Sequence, residues 1–270
     1  MTIAVCTLLA AARADAQFSV PRPAPAEEYV VELGLVWWTP APGLEIQTGA
    51  LAALGENRVD FVSEFNIENA RFTEFRATLK GGKHKLRFAR VPMRYQESAT
   101  LTRTIDFGGV TFPVSVPATA DLEWELWRIG YEWDFVQADR GFVGLLTEVK
   151  VNQIRAELTA TGLGSELTEV TAPVPTIGVV LRGYPGRHVS ITGEFTGFSV
   201  PGFVGGWVSD AVGNDFEAKM FDMDIYATIN LGRHLGVQGG YRSLNANYTV
   251  DEDSGDLEMK GLYFGGLLRF

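Results

Sequence analysis

The residues whose types could do chemistry are few. The histidines are His84, His188 and His234, and each closes a short polar turn, "KGGKH", "PGRH" and "LGRH". A histidine base needs a nucleophile or a carboxylate within hydrogen-bond reach; in a solvated turn it needs neither. Asp222 and Asp224 stand two apart in "KMFDMDIYATINL", so on a strand they share a face, roughly 7 Å apart. That spacing suits a paired-carboxylate site, and equally suits two carboxylates each bonded to a basic partner. The "DEDSGD" run at 251–256 carries oxygen ligands for calcium but lacks EF-hand spacing, and reads as a solvated loop. No nucleophile elbow, glycine-rich phosphate loop or metal-ligand spacing accompanies them. No cofactor and no catalytic residue is expected.

What positions these residues is alternation. In "KMFDMDIYATINL" one face carries Phe221, Met223, Ile225, Ala227, Ile229 and Leu231, and the other carries Asp222, Asp224, Tyr226, Thr228 and Asn230. That is a strand with one apolar side. "VSITGEFTG" and "FVGLLTEVKVN" repeat the pattern. Strands are expected near 29–39, 69–80, 83–96, 118–136, 142–158, 168–184, 188–199, 217–231, 235–249 and 257–270. "LEIQTGAL" and "VDFVSEF", within 40–68, read either as one more hairpin or as an ordered first loop. Connections alternate between short turns and longer loops, the longer ones near 97–117, 160–166, 200–215 and 250–256. In "LEWELWRIGYEWDF" the apolar face changes from Leu122, Trp124 and Leu126 to Trp127, Ile129, Tyr131, Trp133 and Phe135. Either a β-bulge after Leu126 or the end of a membrane-facing zone would do this.

Such alternation fits a soluble barrel or a membrane barrel. The polar face decides between them, because it is too charged for a soluble core: Glu32, Arg76, Arg87, Arg128, Glu132, Asp134, Glu148, Lys150, Arg182, Glu194, Asp222, Asp224 and Arg242 would share it. Trp124 and the Trp133–Phe135 stretch, about ten residues apart, read as the two aromatic edges of a tilted membrane strand. The fold class expected is all-β, an antiparallel up-and-down transmembrane β-barrel of ten strands, with twelve as the alternative. Of the charges, Arg128, Glu148, Lys150, Asp222, Asp224 and Arg242 are expected to form a paired lumen network that disfavours a wide pore.

Both ends of the chain fit export to such a place. Residues 1–16 read as a signal peptide, with an apolar stretch from Ile3 to Ala12 and Ala14-Asp15-Ala16 as a cleavage site. Cys6, the only cysteine, lies inside it, so no disulfide is expected. Residues 17–28, "FSVPRPAPAEE" with its preceding glutamine, read as a proline-rich periplasmic segment, and 29–270 as the barrel. In the final "GLYFGGLLRF", Leu262, Phe264, Leu268 and Phe270 share a face, with Tyr263 and Gly265 between them. A terminal aromatic on a last amphipathic strand resembles the assembly signal of small outer-membrane β-barrel proteins of Gram-negative bacteria. The resemblance implies the cell outer membrane as location. It also implies outer-membrane lipids and lipopolysaccharide as surroundings, with the barrel-assembly machinery and periplasmic chaperones as biogenesis partners.

The net charge of −10 leaves no basic stripe for nucleic acid. Within this class, enzymes place histidine near the outer rim, whereas the turns here put all three at the periplasmic rim. The expected function is therefore a non-enzymatic, porin-like barrel with a structural, surface-interaction or narrow solute-passage role. The alternatives are an outer-membrane hydrolase or lipid-modifying enzyme and, from the segment "PGFVGGWV", a hydrophobic-ligand transporter with a lateral opening.

Overall fold

The computed structural model describes residues 27–47, 58–107, 110–160, 162, 164–200, 216–250 and 253–270. Its strands are β1 (Val31–Gln47), β2 (Arg58–Asp60), β3 (Phe72–Gly81), β4 (His84–Thr100), β5 (Ile105–Phe107), β6 (Val110–Phe112), β7 (Pro117–Ala138), β8 (Gly141–Ala160), β9 (Gly164–Gly186), β10 (Val189–Val200), β11 (Phe216–Asn230), β12 (Leu235–Val250) and β13 (Asp253–Arg269), with one short helix, α1 (Phe61–Phe65). Each long strand pairs antiparallel with its neighbour in the order β1, β3, β4, β7 through β13, and β13 returns to β1. The result is a closed ten-stranded up-and-down barrel. Closure removes every free edge at membrane depth, which a bilayer demands because no water there can satisfy an open backbone.

The closing seam runs from Glu32 opposite Arg269 to Gln47 opposite Ser254. Its lower end is tied by the last residue: Phe270 donates its N–H to Val31 O at 2.8 Å and accepts from the amides of Val30 and Val31. Gly265 lies in this seam because a Cβ there would sit 2.3 Å from Leu35 O. At the short-turn end, Gly82 adopts φ +62° between β3 and β4, a left-handed conformation that costs glycine nothing.

Among the described residues of 40–68 there is no eleventh or twelfth wall strand. β1 runs on to Gln47, β2 adds three pairs to its tip, and "FVSEF" is helical. Asp60 caps the helix, its Oδ1 accepting from the amides of Val62 and Ser63 at 3.0 and 3.2 Å. Phe61 and Phe65, four apart, fall on one buried face. Alternation of Val59, Phe61, Ser63 and Phe65 mimics a strand; the cap at Asp60 is the stronger local signal.

Two of the expected long loops are instead strand. β8 and β9 leave only 161–163 between them, and β12 and β13 only 251–252. These strands run far past the nine to eleven residues that span a bilayer, so the barrel projects above the membrane. Of the acidic "DEDSGD" run, Asp253 to Asp256 belong to β13. The segment 201–215, with "PGFVGGWV", lies outside the described residues.

Candidate functional site

The barrel inverts its polarity along its axis. In β7 the even-numbered residues Leu122 through Asp134 face inward without a break, and the odd-numbered residues Glu123 through Phe135 face outward. No bulge follows Leu126; the irregularity lies lower, between Trp133 and Val136. The apolar face changes there because the environment changes. Below Trp127 the outside is lipid, so outward residues are Ile129, Tyr131, Trp133 and Phe135. Above it the outside is water, so outward residues are Glu125, Glu123 and Asp121, and the apolar side chains turn in. This corrects the reading of Trp124 as a girdle residue. Trp124 is buried inside, its Nε1 donating to Asn152 Oδ1 at 3.2 Å; the outward aromatic at that edge is Trp127.

Every neighbouring strand repeats the inversion. Val149 and Ile225 are 41% and 43% exposed on the outer face at mid-belt. Above the belt the outer face carries ion pairs: Arg90 with Glu125, Arg94 with Asp121 and Glu123, Arg155 with Glu157. Inside, at the same height, Val36, Trp38, Val91, Met93, Leu122, Trp124, Leu126, Leu158, Leu244, Leu257 and Met259 pack as one apolar cluster, roofed by Phe61 and Phe65 of α1 and by Leu101, Ile105 and Phe112 around the β5–β6 hairpin.

Below that cluster lies the charge network. Asp222 accepts from Arg242 through both oxygens, at 3.0 and 2.8 Å, and from Lys150 Nζ at 2.7 Å. Glu148 accepts from Arg128 at 3.0 Å and lies 3.1 Å from Lys150. Asp224 accepts from Tyr263 Oη at 2.6 Å and Arg76 at 3.1 Å. The structure thus brings all six expected lumen residues into one connected cluster, in which Asp222 and Asp224 each have their own cationic partners.

Sequence reasoning missed several members of this cluster. Glu74 bonds Arg76 and Arg242, and Lys85 bonds Glu132 and Asp134. Arg269 bonds Glu32 and Asn230. The signal was present, because Glu74 shares the face of Arg76, and Lys85 that of Arg87. Across the lower half, Arg76, Lys80, Lys85, Arg87, Arg128, Lys150, Arg182, Arg242 and Arg269 match Glu27, Glu32, Glu74, Glu132, Asp134, Glu148, Glu194, Asp222 and Asp224 one for one. The described lumen is electrically neutral, so the net charge of −10 resides elsewhere. Among the described residues, no buried side-chain nitrogen or oxygen lacks a hydrogen-bond partner. A cavity in this network, between Tyr29, Arg87, Arg182 and Glu194, holds about 50 Å³, room for a few waters at most.

The segment before β1 reaches this network. Glu27 is buried in the short-turn mouth, where its carboxylate accepts from Arg182 at 2.8 Å, Tyr184 Oη at 2.6 Å and Lys80 Nζ at 2.7 Å. Burial pushes its carboxyl up, but Arg182, Lys85 and Lys80 outweigh this and hold it well below the usual carboxylate range. A group depressed in the folded state stabilises above its ordinary value, 4.5, and loses that contribution as pH falls below it. Glu27→Gln should cost about 1–3 kcal/mol at neutral pH and flatten the acid limb of a melting-temperature profile. An unchanged profile would show that the mouth is not latched by this carboxylate.

All three histidines stand at the short-turn end. His84 Nδ1 lies 2.5 Å from Tyr131 Oη, and His234 Nδ1 lies 2.9 Å from Arg269 O. His188 precedes β10, its carbonyl accepting from Asn230. None is near the outer rim. Among the described residues no group of His, Cys, Asp and Glu is arranged to hold a metal.

Comparison with known proteins agrees at the level of the fold. No family model and no curated protein matches the sequence. Among solved structures, the outer membrane protease OmpT from Escherichia coli superposes with a TM-score of 0.54 over 89% of this chain and 97% of its own, at 10% identity. The attachment invasion locus protein Ail of Yersinia pestis gives 0.38 over 90% and 99%, at 9% identity, and Neisserial surface protein A 0.34 over 89% and 97%, also at 9%. At such identities the likeness is one of architecture. A closed ten-stranded barrel with an apolar outer belt and a charged interior, sharing its architecture with OmpT, makes the chain an integral membrane β-barrel of the outer-membrane type.

Proposed function

We propose that this barrel is a non-enzymatic surface protein that works through its projecting extracellular half, not through its lumen. One observation carries the reading: the interior is filled twice, by a neutral ion network at membrane depth and by an apolar cluster above it. A solute would have to cross both. The position of the histidines supports the non-enzymatic part, since a base at the periplasmic rim cannot serve a site facing outward. Purified protein in a planar bilayer should give no steady conductance, and no hydrolysis of peptide or phospholipid substrates. A large, steady single-channel current would overturn the closed-lumen reading; turnover abolished by a point change that leaves the fold intact would move the protein to the hydrolase class.

The terminal strand is proposed as the assembly signal, with Leu262, Phe264, Leu268 and Phe270 on its outer face and Tyr263 and Gly265 inward. Phe270 also closes the seam through its backbone, so deleting it confounds two roles. Phe270→Ala keeps the backbone bonds and removes the ring. It should lower the yield of folded barrel in the outer membrane while export stays intact. Wild-type yield would leave Phe270 only its seam bonds.

A further inference from the structure

The wall is incomplete above the membrane. The two-residue turn at Gly82 makes Gly81 and His84 a hydrogen-bonded pair, so even-numbered residues of β4 direct their backbone groups at β3. The β3–β4 ladder ends at Phe75 opposite Arg90. The next even position is Pro92, which has no N–H to give, and the ladder stops there. On the other side, β1 leaves β3 at Trp38 opposite Phe72 and meets β2 only from Glu45. Among the described residues, no strand pairs with this edge of β1 between Trp38 and Glu45, or with the β3-facing edge of β4 above Arg90. α1 covers this stretch from inside, touching β1, β2, β4 and β7, with Phe61 and Phe65 set on the apolar cluster.

This closure differs in kind from the rest of the wall. A strand pair is held by a ladder of backbone bonds; the contacts of α1 are made by side chains, among them two buried phenyl rings, the Glu64–Arg103 ion pair and a hydrogen bond from Thr102 to Glu64. Its own backbone is satisfied locally, by the Asp60 cap and by Asn66, whose left-handed cap N–H bonds to Val62 O. The helix forms no ladder bond of its own, and the only ladder attached to its start is the three-pair β1–β2 contact that ends at its cap, Asp60. Behind it lies the apolar cluster, with Met93, Tyr95 and Phe72 next to the gap. The lower lip of the gap, at Trp37, Phe72 and Arg90, coincides with the upper edge of the lipid belt.

We infer that α1 is a hinged panel in the wall, and that the opening beneath it admits one acyl chain of an outer-leaflet lipid into the apolar extracellular core. The occupant is a lipid, not a solute from the medium, because the lip sits where the chains of that leaflet begin. A single hydrocarbon chain fits the chemistry: it needs no hydrogen bond inside, and it replaces Phe61 and Phe65, which supply the same apolar contact. The headgroup stays outside, at the level of Arg71 and Arg94, both of which are exposed.

The test uses the full chain in vesicles that contain a phosphatidylethanolamine bearing a diazirine at the end of one acyl chain. After photolysis, labelled peptides are mapped by mass spectrometry. Labels on outward belt residues such as Ile225 are expected in every sample and serve as the internal standard. The inference predicts further labels inside, on Met93, Tyr95 or α1. A second protein carries Ile46→Cys and Val59→Cys, at paired positions of β1 and β2, with Cys6→Ser. Oxidised, it pins the strand that leads into α1 and should lose the inward labels while keeping those of the belt; reduced, it should regain them. Belt labels alone in the wild type, or inward labels that survive the lock, would overturn the inference. A free diazirine fatty acid added to detergent-solubilised protein is the remaining arm. Inward labelling by the acid and not by the lipid would overturn the assignment to the leaflet.

Discussion

Arg242→Met should be the most destabilising loss of a single side chain from the ion network. Arg242 is fully buried, bonds both oxygens of Asp222, reaches Glu74 at 3.4 Å and stacks over the Trp38 ring at 5.1 Å. It sits at the boundary where the ion network meets the apolar cluster. Methionine can fill the volume but cannot answer either carboxylate. Asp222 would retain Lys150, with Arg128 at 3.9 Å, and Glu74 would retain Arg76, so one excess negative charge would be left in a site with almost no water. Removing one partner of a buried pair costs about 3–5 kcal/mol, and urea unfolding in lipid vesicles would read it. The companion variant Arg242→Met with Asp222→Asn restores neutrality and should recover much of the loss. If the single variant unfolds within about 1 kcal/mol of wild type, water reaches the network and the closed interior is wrong, since a hydrated charge costs little when its partner is lost.

How much of this was legible in the sequence depends on the height along the barrel. At membrane depth the pattern is strict. Lipid outside and ion pairs inside force apolar and charged residues to alternate, so the strand, the facing of Val149 and Ile225 and the clustering of Asp222 with Arg242 all follow from period two. Above the membrane the same period persists but its meaning reverses. Leu122, Trp124 and Leu126 read like a lipid-facing run because alternation reports that two faces differ, not which one is inside. The reversal leaves one trace, the outward charges Asp121, Glu123 and Glu125 directly before Trp127, and it decides Trp124 once the belt edge is known. The first loop was ambiguous for a different reason. Val59, Phe61, Ser63 and Phe65 satisfy the strand period, while Phe61 and Phe65 alone satisfy the helix period, and only the Asp60 cap and the missing partner strand separate the two. The way strands 20 to 23 residues long, such as β8 and β9, shorten their loops was not visible, because Gly and Ser at the tips suit a loop or a hairpin equally.

The inside–outside assignment meets its sharpest test in a single residue carried to several places. Ile225 stands at the middle of the belt on β11, flanked on its own outer face by Met223 and Ala227 and opposite Tyr241 of β12. Its side chain has lipid on one side and no polar partner on the other. An arginine there must hold its charge in hydrocarbon or reach past several residues toward an interface, and the expected cost is about 2–4 kcal/mol at the midplane. The same arginine at Gln153, outward on β8 but above Trp127, should cost close to nothing, because that face already carries Arg90, Arg94 and Arg155 beside their carboxylates. Placed at Leu244, inward in the apolar cluster and fully buried, it should prevent folding. A soluble barrel with an ordinary core would give a different order: Ile225→Arg would be as harmless as Gln153→Arg, since both would face water. Reversible unfolding of the three variants in the same lipid vesicles separates the two cases, and equal stability of Ile225→Arg and wild type would remove the belt from the outside of this barrel.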